Sequence, residues 1–149
     1  MLNKTSESVK PNNNKEEKKR RSIFSYETKP IAIAGRECLV LCNQIAANMS
    51  KMYKYQLGQE ICKEGTDLVE CIYLALDEMS YSEKKESEIE KITNKLIRLI
   101  VVVRVAKDIG QINQFLFEKI INKIISIKTQ TENWLNFIKR ENEKIKQEG

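Results

Sequence analysis

Four cysteines, Cys38, Cys42, Cys62 and Cys71, are the side chains of this chain most able to do chemistry. As thiolates they would be nucleophiles or soft-metal ligands. Cys38 and Cys42 stand one helical turn apart, half of a zinc site if Cys62 and Cys71 converged on them. No Cys-x-x-Cys pair supports such a site, so reduced core cysteines are the expectation. The chain has no histidine, which removes the commonest general base and the commonest metal ligand. Glu64 and Asp67 neighbour each other, but Lys63 is adjacent, and a solvated face is expected there. No triad and no Gly-rich phosphate loop is present. The sequence reads as a non-enzyme with no metal and no cofactor.

Cations are the second candidate chemistry. The formal charge is +5, and it is uneven: residues 1–29 carry eight Lys/Arg against four Asp/Glu, whereas residues 30–138 carry fourteen of each. Attraction to a polyanion must therefore come from the N-terminal arm or from uneven charge on a neutral body. Within the arm, Lys15, Lys18, Lys19, Arg20 and Arg21 form a cluster that is either a solubilising tail or a contact to nucleic-acid phosphates.

These groups must be held by helices. Five Gly and two Pro among 149 residues, with many Ile, Lys and Glu, favour long helices over a sheet. The polar arm 1–29 is expected to be disordered, since it cannot bury enough surface to offset its ordering entropy. A first helix starts at Pro30, tolerated in a first turn, and carries an apolar face through Met49 and Met52. Lys51–Gln56 is expected to be the turn into a second helix. Gly58 and Gly65 lie seven apart on that helix, where they would let another backbone approach. Ser80 and Glu83 fit a capping box for the third helix, expected to be exposed through Ile89 and Ile92 and buried from Leu96 onward. Gly110 fits a left-handed helix end, and Asn113 fits the cap of a fourth helix, with Ile112 and Phe117 spaced as a hydrophobic staple. Residues 141–149 should fray. The fold expected is all-α, an antiparallel up-down-up-down four-helix bundle over 30–140 with a disordered N-terminal arm.

The stretch Leu96–Gly110, LIRLIVVVRVAKDIG, is apolar on nearly every side of a helical wheel. A surface helix needs an apolar stripe only about 100° wide, so this one must be covered all round by its own chain or by neighbouring subunits. It is too short to cross a membrane, which takes roughly 20 apolar residues. Arg104, set among valines, should have a buried stem. Its guanidinium would then pair with a carboxylate of the first two helices, snorkel to water, or contact another subunit. Trp134, the single tryptophan, is a core residue or an interface anchor. No signal peptide is read at the start, so a cytoplasmic location and reduced thiols are expected.

Three segments resemble one family. KMYKYQLGQEI (51–61) is similar to the second-helix entry of the accessory variability determinant proteins, small four-helix bundles encoded beside reverse transcriptases in diversity-generating retroelements. That family shows a basic residue followed by Arg-Tyr-Thr-Leu-Gly-Gln. Here Lys54, Tyr55, Leu57, Gly58 and Gln59 match, with Lys for Arg and Gln56 for Thr. Arg104–Gly110 resembles the family's Arg-Leu-Ala-Lys-Asp-Leu run, and Trp134–Leu135 resembles its Trp-Leu. Glu132–Asn133 replace the usual Gly-Gly, and Ile100 replaces an Arg. The resemblance implies a non-catalytic subunit, assembled as a homopentamer, that binds reverse transcriptase and its template RNA or cDNA. On it, Lys51 and Lys54 join the 15–21 cluster as nucleic-acid contacts, while Tyr55, Leu57, Gly58, Gln59, Arg104 and Trp134 belong to motif and interface. The four-helix-bundle proteins encoded by intervening sequences of 23S ribosomal RNA genes are similar too, and imply a protein–protein interaction module that binds no nucleic acid.

Overall fold

The structure, a computed structural model, describes residues 25–78 and 81–148. The described residues are all-helical, with no strand among them. In chain order they form α1 (Pro30–Ala47), α2 (Lys51–Tyr53), a π-turn (Lys54–Gly58), α3 (Gln59–Asp77), α4 (Glu83–Asp108) and α5 (Gln114–Glu148). The cluster Lys15, Lys18, Lys19, Arg20 and Arg21 lies outside the described residues, as does Ser80.

The packed unit begins earlier than Pro30. Residues 25–27 form a helical turn, and the buried Tyr26 donates its hydroxyl to Asp77 Oδ1 at 3.1 Å. Arg36 anchors the same segment, donating to the Glu27 carbonyl at 3.1 Å and to Tyr73 Oη at 2.7 Å. Pro30 then opens α1, where its missing N–H costs nothing.

The first break differs from the expected one. α1 stops at Ala47, and Asn48 closes it with backbone bonds to Gln44 and Ile45. Ser50 is extended, at φ −61 and ψ 152, and its N–H donates to Gln111 Oε1 at 2.9 Å. That contact pins the reversal at 48–50, so KMYKYQ is helical and not a turn. Met49 is buried from the loop itself.

The later caps are local and follow the sequence more closely. α4 starts on Ser82 instead of Ser80; the Ser82 hydroxyl accepts from the Lys85 N–H at 3.4 Å, with Glu83 and Glu86 favourably placed in the first turn. Gly110, at φ +76, ends it: its N–H reaches the Lys107 carbonyl and the Gln111 N–H reaches Ala106, a Schellman pair. Asn113 Oδ1 caps α5 by accepting from Leu116 N–H at 2.8 Å. α5 does not fray after Arg140 but runs to Glu148, because the start of α4 lies beside it: Asn142 is buried, and Lys146 meets Glu83 at 3.3 Å.

α1 packs on α3, α3 on α4, α4 on α5, and α5 on α1. Paired contacts fall in opposite order between α1 and α3, between α4 and α5, and between the α1 and α5 sides. Gly35 faces Ile72 while Gly65 faces Cys42. Lys139 pairs with Glu90 at 4.0 Å, and Lys146 with the earlier Glu83. Lys123 pairs with Glu37 at 2.6 Å, while Gln111 reaches Ser50. The shared core is largely isoleucine, with Ile45, Ile61, Ile72, Ile89, Ile92, Ile120, Ile124, Ile127 and Ile138 fully enclosed. Each contributes about 1.5–3 kcal/mol relative to exposure.

Candidate functional site

The resemblance motif spans α2, the π-turn and the start of α3. Such turns insert one residue beyond the α-helical repeat and so re-aim the side chains around them. Lys51, Lys54 and Tyr55 are all exposed, Tyr55 by 61%. Gly58, in contrast, is buried against α1: a Cβ there would meet Ala46 Cβ at 3.3 Å and Met49 Sδ at 3.4 Å. Leu57 packs on the core.

Lys54, Tyr55, Gly58 and Gln59 come together on one side of a concave pocket of about 390 Å³. Asn43, Ala46 and Ala47 of α1 and Cys62 of α3 close its other side. The Cys62 thiol faces Asn43 Oδ1 at 3.5 Å, and burial pushes its pKa up. A protonated thiol is a poor nucleophile, so burial holds Cys62 in its less reactive form. A cation beside an exposed aromatic ring suits a phosphate and a stacked base.

Cys38 and Cys42 are fully buried on α1, and all four cysteines are free. The Cys42 thiol, hydrogen-bonded to Cys38 and buried, is driven far above the usual range. Cys38, which receives that bond, is shifted down; burial opposes the shift and Lys123 assists it. Among the described residues no three metal-capable side chains converge.

The acidic pair departs from its expected exposure. Glu64 is buried, with Oε2 lacking a hydrogen-bond partner, because it lies among Ile61, Gly65 and Leu68 on the packing face of α3. Asp67 instead pairs with Lys95 of α4 at 3.5 Å.

α4 overturns the expected burial along its length. Ile89 and Ile92, expected to be exposed, are fully buried. Leu96, Leu99, Val103 and Ala106 continue that stripe inward, but Ile97, Ile100, Val101 and Val105 stay outside, between 37% and 56% exposed. Among the described residues, own-chain neighbours cover one side only. On α5, Ile125 is similarly 55% exposed.

Arg104 also differs from expectation. Its side chain is 64% exposed, not buried among valines, because Val105 and Val101 share its outer face. It pairs with Asp108 at 3.7 Å and lies 5.7 Å from the Phe117 ring centroid. Trp134 packs half-buried against the core. Glu132 and Asn133, at the resemblance's Gly-Gly positions, are both exposed.

Sequence reasoning missed Lys85, which is 8% exposed and lies 5.4 Å from the Trp134 ring centroid. Its position was legible: Lys85, Ile89, Ile92, Leu96 and Leu99 continue one helical stripe. Among the described residues no helix is long and apolar enough to cross a membrane. No protein-family model, curated protein or solved structure matches this chain.

Proposed function

We propose that the chain is an antiparallel up-down-up-down four-helix bundle that assembles with copies of itself. In this reading it is a non-catalytic accessory subunit of a retroelement reverse transcriptase, holding the enzyme and its template RNA or cDNA during mutagenic copying. The observation that carries the assembly is the uncovered stripe Ile97, Ile100, Val101 and Val105 on α4. Contiguous apolar surface of this kind marks contact with another protein. A ring needs each copy to offer two different faces, and α4 supplies one that its own chain leaves open.

Nucleic-acid contact rests on α2 and the π-turn. Lys51 and Lys54 would bind phosphates without sequence preference, and Tyr55 would stack on a base. The 15–21 cluster would add phosphate contacts from the arm. The specificity of the system would lie in the reverse transcriptase and its template, not in this subunit.

Reconstitution with a retroelement reverse transcriptase tests the reading. Co-elution with the enzyme, and cDNA synthesis that depends on the chain, are the expected results. Failure of both sinks it. A reverse transcriptase gene with a near-duplicate sequence repeat beside the coding gene is the expected genomic setting.

The balance of fourteen basic and fourteen acidic residues over 30–138 favours a second reading, a protein–protein interaction module that binds no nucleic acid. A flat RNA titration at low salt, with assembly intact, selects it.

A further inference from the structure

At the end of α1 and α3 opposite the π-turn, Tyr26, Tyr81, Trp134 and Phe137 wall a cavity of about 520 Å³. That volume is within the range of small-molecule sites. Tyr81 and Phe137 meet edge-to-face at 6.1 Å, which fixes one aromatic wall. Lys85 lines the same cavity and is nine-tenths buried. Its Nζ donates to the Glu78 carbonyl at 2.6 Å and lies against the Trp134 ring.

A buried ammonium is expensive unless it is paired. Lys85 makes no ion pair within 4.0 Å with a described carboxylate; the Glu78 carboxylate pairs with Lys84 at 3.2 Å instead. An ammonium has three donors, and one carbonyl does not exhaust them. Among the described residues no Asp or Glu lines the cavity, whereas Lys29 adds a second cation to it. The nearby carboxylates are those of Asp77, engaged by Tyr26, and of Glu78, which favours the charged form of Lys85 against its burial. The walls thus accept a flat apolar ring, and the buried amine accepts an anion.

We propose that this cavity binds a small aromatic carboxylate, its ring between Trp134 and Phe137 and its carboxylate on Lys85. The site does not depend on assembly or on nucleic acid, and it uses none of the π-turn residues.

The test is a titration of the full chain with 3-phenylpropanoate, followed through the emission of Trp134, the only tryptophan. The uncharged isostere 3-phenylpropanamide is the comparison. A saturable change is expected, with the carboxylate binding at least about tenfold more tightly than the amide, as a charge-assisted hydrogen bond provides. Lys85→Met should remove that preference while leaving amide binding in place. Equal affinity of acid and amide for the unaltered chain overturns the proposal. So does the absence of a saturable response to millimolar acid. Both readings are made on the unaltered chain and stand even where Lys85→Met fails to fold.

Discussion

Gly65 of α3 lies directly against Cys42 of α1: a Cβ added at Gly65 would fall 2.9 Å from the Cys42 sulfur and 3.1 Å from Leu39 Cδ1. Cys42 is short and fully buried, so it has little room to yield. Gly65→Ala should therefore lower stability by about 1–2 kcal/mol, since overpacking outweighs the roughly 1 kcal/mol gained in helix propensity. Gly35→Ala is the contrast. Its Cβ would meet only the tip of Ile72, Cδ1 at 2.7 Å, with Val69 at ordinary distance. A rotamer shift of the tip costs about 0.5–1.5 kcal/mol, so the net change should be close to zero. Chemical denaturation of both variants checks the difference.

At Gly110 the constraint lies purely in the backbone. Nothing lies within 4 Å of its hypothetical Cβ, yet φ is +76. Gly110→Ala should cost about 1 kcal/mol through left-handed strain, and Gly110→Asn less. Equal midpoints for wild type and Gly110→Ala would show that the α4–α5 turn relaxes freely.

Burial lowers the Lys85 pKa below its ordinary 10.5, with Glu78 opposing. The unfolded chain then holds the proton more tightly than the folded one between the lowered value and 10.5. Stability contributed by this site therefore rises as pH increases through that window, and the penalty is full below it. The stability of wild type relative to Lys85→Met should increase towards pH 10. A flat difference between pH 7 and 10 would contradict the burial.

The α2 and π-turn lysines can be probed by salt. Replacing Lys51 and Lys54 by Ala removes two phosphate contacts, and the slope of log affinity against log salt for single-stranded RNA should fall by about 1.4. Tyr55→Ala should weaken binding at all salt concentrations by about 1–3 kcal/mol with the slope unchanged. A slope unaffected by the double Lys variant would remove these residues from the interface.

What the sequence revealed was mostly local. Pro30, Gly110 and Asn113 act within a few residues of themselves, and each stands at the helix end its type demands. The reversal at 48–50 was hidden because Gln111, sixty-one positions away, holds Ser50. Glu64 and Lys85 look solvated by type, but tertiary packing decides their burial; only their place on an apolar stripe hinted at it. In the pocket, Lys54, Tyr55, Gly58 and Gln59 were legible as one motif, whereas Asn43 and Cys62 join them only through the α1–α3 contact. The sequence of α4 showed that it is apolar nearly all round, and could not say which side its own chain would leave open.

The uncovered face of α4 makes assembly the central claim, and solution mass by light scattering behind size exclusion tests it most directly. A particle close to five times the 17.4 kDa chain is expected at both low and moderate salt. Val101→Glu, on the exposed stripe, should shift that particle to monomer without loss of helicity. A clean monomer of the unaltered chain at every concentration and salt would contradict assembly through α4.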